Sequence, residues 1–452
     1  MKKLTLLLLC VSSGLFAQEH FSGINGSKRV GILNATVNPA ELGNLSGIME
    51  ANIFGMSYNV SNNVLKFSDL TDGTDVEDKL FNSTSPVNAR VDAALVGPSF
   101  AFKTNKWTFA IISQATVKAT LLDIDPVFAK AIVNSNSTNL LTTTTTISST
   151  NNQRLNAVTW GEISLAAART LMDSDSSKLT AGANVRFLFP GAYANLGVSN
   201  LNGKIEDLAA GGDVNLTGAT GTLNIAYAGA LADGFTDSSN FSGFFDGGLN
   251  GYAFDFGFNY KMKDSQDDKS YKFNAGFAIK GIGSMTFKGD NNNSTEYNLN
   301  VPSSDEINLS DFQGIDNLDD IETFLLTNYP NFITKTSTTK EFKVNLPTVM
   351  NIYADVRLHK KWFVSGFLQQ KTSKDEENDG ITVQNIYSLT PRFSGKWFEV
   401  YSTWSKYEIN DEMVGGLGFR IGGFYIGSNS GITAALSDAK QIDFYTGFRF
   451  SL

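Results

Sequence analysis

The chain has few of the side chains that disulfides, metal centres and hydrolytic active sites require. Its 452 residues include one cysteine and two histidines. Cys10 lies in the N-terminal apolar run, so a chain cleaved after Ala17 would have no disulfide framework. His20 and His359 belong to no recognisable Ser/His/Asp spacing, and the paired His or Cys ligands of a zinc site are missing. We therefore predict that the protein is not an enzyme and has no metal or cofactor.

The chain also lacks an excess of basic residues and a second long apolar run. It has 36 Lys and Arg against 45 Asp and Glu, a net charge of −9, which argues against a nucleic-acid partner because such a partner requires a basic patch. After residues 4–11, no apolar run approaches the ~18 residues of a membrane helix. The 34 phenylalanines and 41 glycines fit a membrane β-barrel, and they also fit a soluble β-protein.

The N-terminus has the three parts of a secretory signal peptide. Met1-Lys2-Lys3 is a short positive start, residues 4–11 are apolar, and Ala17 precedes a plausible cleavage point. Lipidation of Cys10 is an alternative, but this residue lies within the apolar run and lacks the small residues expected before it. We predict that residues 1–17 are a signal peptide that is removed from the mature protein.

Period-two alternation recurs along the rest of the chain. Phe256 lies on the apolar face of one segment and its neighbour Asp255 on the polar face; in another segment Val344, Leu346 and Ile352 share the apolar face. Such segments are strands with one apolar face. Their length of about 10–13 residues suits a tilted membrane strand and exceeds the ~5–6 residues of a typical soluble strand.

The lengths of the connections favour a barrel. We predict fourteen strands, over 48–60, 91–103, 106–119, 156–172, 178–190, 250–262, 270–287, 342–358, 361–372, 384–394, 397–408, 413–421, 424–428 and 441–452. The joins after even-numbered strands are short, whereas all but one of those after odd-numbered strands are long. Short periplasmic turns and longer outer loops are typical of bacterial outer-membrane barrels. We predict an all-β, antiparallel transmembrane barrel over 48–452, with sixteen strands as the alternative if 222–227 and a partner join the wall.

The last predicted strand alternates to the final residue. Phe448, Phe450 and Leu452 share an apolar face, whereas Gly447 lies on the opposite face. This pattern resembles the C-terminal insertion signal of outer-membrane barrels, in which the apolar face contacts lipid. We therefore predict that Gly447, Phe450 and Leu452 form an insertion signal, that the barrel-assembly machinery and outer-membrane lipid are partners, and that the protein lies in a Gram-negative outer membrane.

Three predicted strands begin with the same aromatic pattern after a short turn. Trp107, Trp362 and Trp397 each follow a lysine and precede a phenylalanine by one or two positions. Lysine suits the headgroups, tryptophan the interface and phenylalanine the hydrocarbon. We predict an interface girdle on the periplasmic side; chance clustering of aromatics is the alternative.

Charged residues on the predicted strands mark the face opposite to lipid. An Arg on the lipid face would cost about 2–4 kcal/mol at mid-membrane, so a barrel must turn such residues inward. The nine predicted lumen-facing residues are Glu162, Arg186, Asp255, Asp355, Arg357, Arg392, Glu399, Arg420 and Arg449. They could line a polar path or bind a ligand carboxylate through arginine, or they could pair with one another and fill the lumen.

Two of the long loops contain segments of helical character. Asp125 and Pro126 suit the N-cap and the first position of a short helix over 125–133. Apolar residues recur at helical spacing within 316–328. These helices could fold over the barrel mouth as lids, or they could merely cover exposed strand ends.

Four segments carry a family resemblance. Asn38-Pro39-Ala40-Glu41-Leu42 resembles the Asn-Pro-Ala segment of FadL-like long-chain fatty-acid transporters. The blocks 253–261, 346–348 and 422–428 resemble more closely an uncharacterised outer-membrane family of Bacteroidota with FadL-like architecture. The resemblance implies a fourteen-stranded barrel in a Bacteroidota-type outer membrane, obstructed by an N-terminal hatch over 18–47.

The Asn-Pro-Ala segment can also be interpreted locally, as the cap of a short helix. Asn38 suits a helix N-cap, Pro39 suits the first helical position, and Glu41 stands where a capping box would place it. A capped turn of this kind can occur in any fold. The assignment of Asn38, Pro39 and Ala40 to a hatch therefore follows from the resemblance.

The resemblance implies passive transport of a hydrophobic or amphipathic solute, with a lipid-like ligand. The alternative is a non-transporting outer-membrane scaffold for protein secretion or surface attachment, in which the loops 120–155, 191–249 and 288–341 bind a secreted protein. A soluble or periplasmic all-β protein is a third hypothesis. Transport predicts an elongated apolar pocket between hatch and wall, whereas a packed, polar lumen favours the scaffold.

Overall fold

The computed structural model describes residues 21, 23–27, 31–133, 144–207, 214–234, 238–264, 267–312, 314–315, 317–410, 412–437 and 439–452. The predicted signal peptide, 1–17, lies outside these residues. Within them, none of the helices is long and apolar enough to cross a membrane.

Most of the described chain forms strands. In chain order they are β1 (Met49–Asn62), β2 (Val87–Val96), β3 (Ser99–Thr104), β4 (Trp107–Ile124), β5 (Thr145–Ser148), β6 (Asn152–Asp173), β7 (Ser177–Asp207), β8 (Val214–Ala228), β9 (Gly251–Asp264), β10 (Asp267–Phe287), β11 (Asn293–Asn300), β12 (Glu306–Asn308), β13 (Ile333–Thr339), β14 (Phe342–Asn345), β15 (Val349–His359), β16 (Trp362–Lys371), β17 (Ile386–Ser394), β18 (Phe398–Tyr407), β19 (Met413–Ile421), β20 (Phe424–Ser428) and β21 (Gln441–Ser451). The α-helices are α1 (Gly31–Ala35), α2 (Val76–Phe81), α3 (Pro126–Val133), α4 (Leu318–Asn328) and α5 (Gly431–Ser437).

Fourteen strand positions close into one antiparallel ring. β1 pairs with β2 and β3 on one side and with β21 on the other, which joins the first wall strand to the last. The other eleven wall positions are β4, β6, β7, β9, β10, β14 together with β15, β16, β17, β18, β19 and β20. β2 together with β3 also counts as one position. The prediction of fourteen strands is confirmed. The sixteen-strand alternative is wrong, because 222–227 lies in β8, which pairs with β11 and the far half of β7 outside the ring.

The apolar faces of the wall strands point outward. On β9, Phe256 is 51% exposed and Phe258 is 53% exposed, whereas Asp255 and Asn259 are buried on the lumen side. An apolar belt around a closed barrel is stable in hydrocarbon, where every backbone hydrogen-bonding group is satisfied between strands. The fold class is therefore a transmembrane antiparallel β-barrel of the outer-membrane type, and the short-turn end is the periplasmic end.

The alternation changes phase where two neighbouring strands are irregular. The pairing of β9 with β10 shifts register between Ile279 and Ile282, and Gly281 there has a φ of +75°. Beside it, β14 ends before Pro347 and β15 begins after it. The prediction that Val344 and Leu346 share the lipid face was wrong, because the break turns both into a buried cluster within the lumen.

An extracellular platform extends beyond the ring. The far half of β7, which continues past its predicted end, pairs with β8, and β8 pairs with β11 and β12. A core of its own holds this platform together, made of Ile205, Leu216, Ile225, Leu299, Leu325 and neighbouring apolar residues. The predicted loop helices are confirmed as α3 and α4. Asp125 caps α3 by accepting from the amides of Val127 and Phe128, and Asn317 caps α4.

The N-terminal segment lies inside the barrel. Its described part contains α1 and a 3₁₀ helix, Pro39–Asn44. Ile24, Ile32 and Leu33 are buried in a cluster that includes Tyr425 and Tyr445 of the wall. Apolar hatch residues therefore pack against inward-facing tyrosines, and the segment obstructs the lumen.

Candidate functional site

The Asn-Pro-Ala segment is joined to the wall at its first residue. Asn38 Oδ1 accepts from the amide of Ala40 at 2.9 Å, which is the predicted N-cap. Its Nδ2 donates to the carbonyl of Phe258 at 2.9 Å and to the hydroxyl of Tyr353 at 3.0 Å. One side chain thus caps the N-terminus of the 3₁₀ helix and attaches the hatch to β9 and β15.

The carboxylate of Glu41 makes the second attachment. It accepts from Tyr353 Oη at 2.5 Å, Asn259 Nδ2 at 2.8 Å, Asn274 Nδ2 at 3.1 Å and Asn44 Nδ2 at 2.8 Å. The capping-box prediction was wrong, because this buried acceptor is taken up by donors of the wall and of Asn44. Three of these four donors belong to the wall, and the attachment is strong because hydrogen bonds to a carboxylate exceed neutral ones.

Three wall glycines make room for the hatch. A Cβ at Gly257 would clash with Asn38 Oδ1, one at Gly182 with the backbone of Pro39 and Ala40, and one at Gly276 with the Tyr353 hydroxyl. Gly182 and Gly257 stand directly opposite each other on β7 and β9. These three glycines were not identified from the sequence as contacts of the hatch, although the alternation placed glycines on the inward face of their strands.

A four-membered ion cluster lies beside the hatch. Arg392 contacts Asp355 at 2.7 Å and Glu399 at 3.4 Å, and Arg420 Nε contacts Glu399 at 2.8 Å. Ser27 of the hatch donates to Glu399 as well. The two arginines and two carboxylates balance in charge, and all four side chains are almost fully buried.

The remaining predicted lumen residues also form ion pairs. Arg186 pairs with Glu162 and lies 3.8 Å from Asp255. Arg449 pairs with Glu50 at 2.7 Å, and Arg357 pairs with Asp264. The structure therefore places each of the nine in an ion pair.

Sequence reasoning missed several partners of this network. They are Glu50, Asp92, Lys118 and Asp264. Asp92 and Lys118 pair at 2.6 Å on neighbouring wall strands. For Glu50, Asp92 and Lys118 the signal was the same inward register that identified the nine. Asp264 has the register of Met262 on the apolar face of its strand, so the alternation gave no sign of it.

Four cavities follow one another along the hatch. The outer cavity has a volume of about 100 Å³, the upper waist about 30 Å³, the lower waist about 20 Å³ and the periplasmic vestibule about 780 Å³. Asn25 lines the first three, and Asn44 lines both the lower waist and the vestibule. The four are separate cavities, but neighbouring ones share lining residues, so they lie in series from the outer lumen to the periplasmic end; this series is called the path.

The outer cavity combines apolar and cationic surface. Trp160 and Phe367 contribute apolar area, and Lys118, Arg186 and Lys280 also line it. Among the described residues, Lys280 forms no ion pair, whereas the other two cations are paired. The cavity can therefore accept a molecule that is apolar over most of its surface and polar or anionic at one point.

The waist is narrow and polar. Its lining includes Asn34, Glu41, Asn274 and Tyr353. Volumes of 20–30 Å³ hold about one or two water molecules. The elongated apolar pocket expected for transport is therefore not what lies between hatch and wall, because polar attachments of the hatch occupy that space.

A strap of loop, residues 372–385 between β16 and β17, crosses the extracellular mouth. Arg154 of β6 donates to the carbonyls of Asp375 at 2.8 Å and Gly380 at 3.0 Å. Tyr193 of β7 donates to the carbonyl of Asn378 at 2.8 Å. These bonds attach the strap to β6 and β7, and Val383 of the strap lines the outer cavity. Arg154 was missed from the sequence, since its partners are backbone carbonyls of a distant loop.

Of the predicted girdle residues at the short-turn end, Trp107 and Trp362 lie on the outer face of the barrel, whereas Trp397 lies at the rim of the periplasmic vestibule, which it lines. Trp107, Trp362 and Trp397 are all exposed. Trp107 stacks on Phe109 with 5.8 Å between centroids, and the guanidinium of Arg169 lies 5.3 Å from its ring. Their role at a membrane interface stays a prediction.

The predicted insertion signal occupies the strand that closes the ring. Phe450 and Leu452 are exposed on the outer face of the barrel. Gly447 faces the lumen, where a Cβ would clash with the hydroxyl of Tyr425. Recognition by the assembly machinery stays a prediction.

Comparisons with known proteins give a family and a set of distant structural likenesses. A model described as a family of unknown function, DUF5723, matches residues 39–429. No curated protein matches the chain significantly.

The solved structures that resemble the chain include a hydrocarbon channel, a FadL homologue and the translocator domain of an autotransporter. The CymD monoaromatic hydrocarbon channel is 11% identical, with 97% of this chain and 98% of that chain covered and a TM-score of 0.43. A Pseudomonas aeruginosa FadL homologue is 8% identical, with 96% and 97% covered and a TM-score of 0.42. The translocator domain of the autotransporter NalP from Neisseria meningitidis is 8% identical, with 97% and 100% covered and a TM-score of 0.32. Scores this low carry no information about function.

Proposed function

Since the chain belongs to DUF5723, a family of unknown function, we propose from its own geometry that it is a passive outer-membrane channel for small amphipathic solutes. The observation that supports this proposal is the series of cavities along the hatch. Asn25, Val37 and Phe367 line both the outer cavity and the upper waist, and Lys261 and Tyr271 line both the lower waist and the vestibule. A barrel built only as a scaffold has no need of such a path.

The solute class follows from the lining of the outer cavity. Trp160, Leu346 and Phe367 offer apolar contact, while Lys280 offers a charge that no carboxylate of the described chain neutralises within ion-pair distance. A purely apolar solute would leave Lys280 buried without a partner, which is unfavourable. An amphipathic solute satisfies both surfaces.

Passage requires the hatch to shift. The waist holds only a water or two, and the hatch is attached there by hydrogen bonds from side chains such as Asn38 and Asn259. Water can replace a neutral bond such as that of Asn38 at a net loss of about 0.5–1.5 kcal/mol, and a bond to the Glu41 carboxylate at about 1.5–3 kcal/mol. A shift of the hatch is therefore accessible by thermal fluctuation, and no energy source is implied.

The test is entry of graded solutes into proteoliposomes of neutral lipid. Vesicles with the purified barrel should admit small amphipathic solutes faster than protein-free vesicles, with entry falling steeply as solute size increases. Native mass spectrometry of the purified protein should also reveal a co-purified small amphiphile. Entry rates equal to those of protein-free vesicles, together with an empty protein, would contradict transport.

Export and assembly complete the proposal. Residues 1–17 would direct export, and the closing strand with Phe450 and Leu452 would be read by the barrel-assembly machinery. A Bacteroidota-type outer membrane is supported by the resemblance of 253–261, 346–348 and 422–428.

A protein-binding scaffold is the second candidate, and the extracellular platform favours it. Glu322 of α4 is buried there and accepts from Tyr227 at 3.2 Å, Asn293 at 2.5 Å and Tyr297. Burial and this carboxylate raise the pKa of Tyr297 well above its usual value. A platform fixed in this way offers a secreted protein a rigid surface. Protein capture by vesicles that admit no solute would support this second candidate.

A further inference from the structure

The periplasmic vestibule has a charge opposite to that of the chain as a whole. The chain carries a net charge of −9. Among the side chains that the structure describes, in contrast, five basic ones and one acidic one, Asp173, line the vestibule. The basic residues are Lys103, Lys178, Lys261, Lys263 and Arg449. Cations are therefore concentrated at one end of the path.

These cations come from four separate parts of the wall. Lys103 lies on β3, Lys178 on β7, Lys261 and Lys263 on β9, and Arg449 on β21. All five stand on the lumen side of their strands, where alternation places them at the short-turn end. The floor of the vestibule is the end of the hatch, residues 43–47. The vestibule is thus a concave site built by the fold.

At least two of these five cations form ion pairs with carboxylates of the described chain. Lys263 pairs with Asp173 at 2.6 Å, and Arg449 pairs with Glu50. Lys178 donates to the carbonyl of Gly43, which is a dipole and not a charge. Among the described residues, Lys103 forms no ion pair. Like charges that share one concavity raise its potential and attract anions.

The outer cavity also has basic lining residues, Lys118, Arg186 and Lys280, and no acidic side chain of the described residues lines it. Lys118 and Arg186 are paired with Asp92 and Glu162, so Lys280 is the one of the three that forms no ion pair within the described chain. Two acidic residues line the waist. Asp355 is paired with Arg392, and Glu41 belongs to the hatch and is held by neutral donors. A hatch that shifts to open the waist takes this carboxylate with it.

We propose that the vestibule is an anion-binding site that makes the channel prefer anionic solutes, such as carboxylates and phosphates, over cations. This inference rests on the proposed channel function and names its solute class. Rings of Lys and Arg side chains select anions in other pores by the same electrostatics. The preference weakens as salt rises, because charges separated by more than a Debye length are screened.

The first measurement is the reversal potential across a neutral planar bilayer. Under a KCl gradient of about tenfold, we expect a chloride-to-potassium permeability ratio above about 3, and a ratio near 1 after Lys103, Lys178, Lys261 and Lys263 are changed to Gln. A cation-selective channel, or a ratio that neutralisation leaves unchanged, would overturn the inference while channel function stands. A protein that never conducts would instead overturn the proposed function.

The second measurement does not depend on conduction. Trp397 lines the vestibule, so a variant with Trp397 as the sole tryptophan reports on the ions around it. The ratio of quenching by iodide to quenching by neutral acrylamide should be at least about twofold higher in the protein with the four lysines than in the protein with four glutamines. This difference should vanish at about 1 M salt. Equal ratios in both proteins would refute the anion site.

Matched variants separate charge from folding. Lys103→Arg with Lys263→Arg keeps both charges and should retain the ratios of the parent. Lys103→Gln with Lys263→Gln leaves the bond of Lys178 to the hatch intact, so it serves if the fourfold variant does not fold. The double Gln variant should shift both measurements in the same direction by a smaller amount. A shift that also occurs in the Arg variant would contradict the charge-based account.

Discussion

Replacing Arg392 by leucine is expected to destabilise the barrel by about 3–5 kcal/mol, because it leaves the buried carboxylates of Asp355 and Glu399 without their shared cation. Arg392 is fully buried and lies within 3.4 Å of both. Arg420 would remain beside Glu399, so Asp355 would be the uncompensated charge. The measurement is urea-induced unfolding in detergent, followed by the loss of the heat-modifiable folded band on gels.

Two variants serve as controls for this prediction. Arg392→Leu combined with Asp355→Asn removes one charge of each sign and should recover most of the lost stability. Lys288→Ala breaks an exposed pair with Glu341, whose side chains are 51% and 62% exposed, and should change stability by less than about 0.5 kcal/mol. An Arg392→Leu barrel as stable as the Lys288→Ala barrel would show that the cluster contributes nothing.

Locking the hatch to the wall at the waist is expected to stop passage. A Cβ at Gly26 would lie 3.2 Å from the Cβ of Ser365, and both residues line the upper waist. This separation is close to that of natural disulfides, so Gly26→Cys with Ser365→Cys should cross-link. Oxidised protein should admit solute at least about tenfold more slowly than reduced protein, because a covalently held hatch cannot leave the waist.

The cysteine content of the chain suits this cross-linking experiment. Its one native cysteine, Cys10, lies in the predicted signal peptide. The single variants Gly26→Cys and Ser365→Cys control for the substitutions themselves, since Ser365 also donates to Asp355 at 2.5 Å. Unchanged entry rates in fully cross-linked protein would refute passage through the waist.

A second cross-link distinguishes local from whole-hatch movement. A Cβ at Gly43 would lie 3.3 Å from the Cβ of Thr180, far along the hatch from Gly26. Slowed entry in this oxidised double cysteine variant would indicate that the whole hatch moves. Normal entry would confine the movement to the segment around Gly26.

The wall was predictable from the sequence because its determinants are local. A membrane strand must alternate at every step, so Phe256 and Asp255 fall on opposite faces wherever the strand lies in the ring. The caps of α3 and the 3₁₀ helix were likewise visible, since Asp125 and Asn38 act on amides two or three residues away.

The hatch contacts and the strap were not predictable because their partners are distant in the chain. Glu41 receives three of its four hydrogen bonds from strands more than 200 residues away, and Arg154 binds a loop more than 200 residues away. The phase change at Gly281 arises from two neighbouring strands breaking side by side. Pro347 was the one local sign, since a proline interrupts the hydrogen-bond ladder, but the alternation from Val344 to Ile352 continues across it in the sequence.

Quenching of single tryptophans by brominated phospholipids tests the central claim most directly. Trp404 of β18 is 41% exposed on the outer face, whereas Trp160 of β6 is 3% exposed inside the barrel. With either as the sole tryptophan, lipid bromines should quench Trp404 strongly and leave Trp160 unchanged. Strong quenching of Trp160 with Trp404 spared would mean that the aromatic faces do not meet lipid, and both the barrel orientation and the path inside it would be wrong.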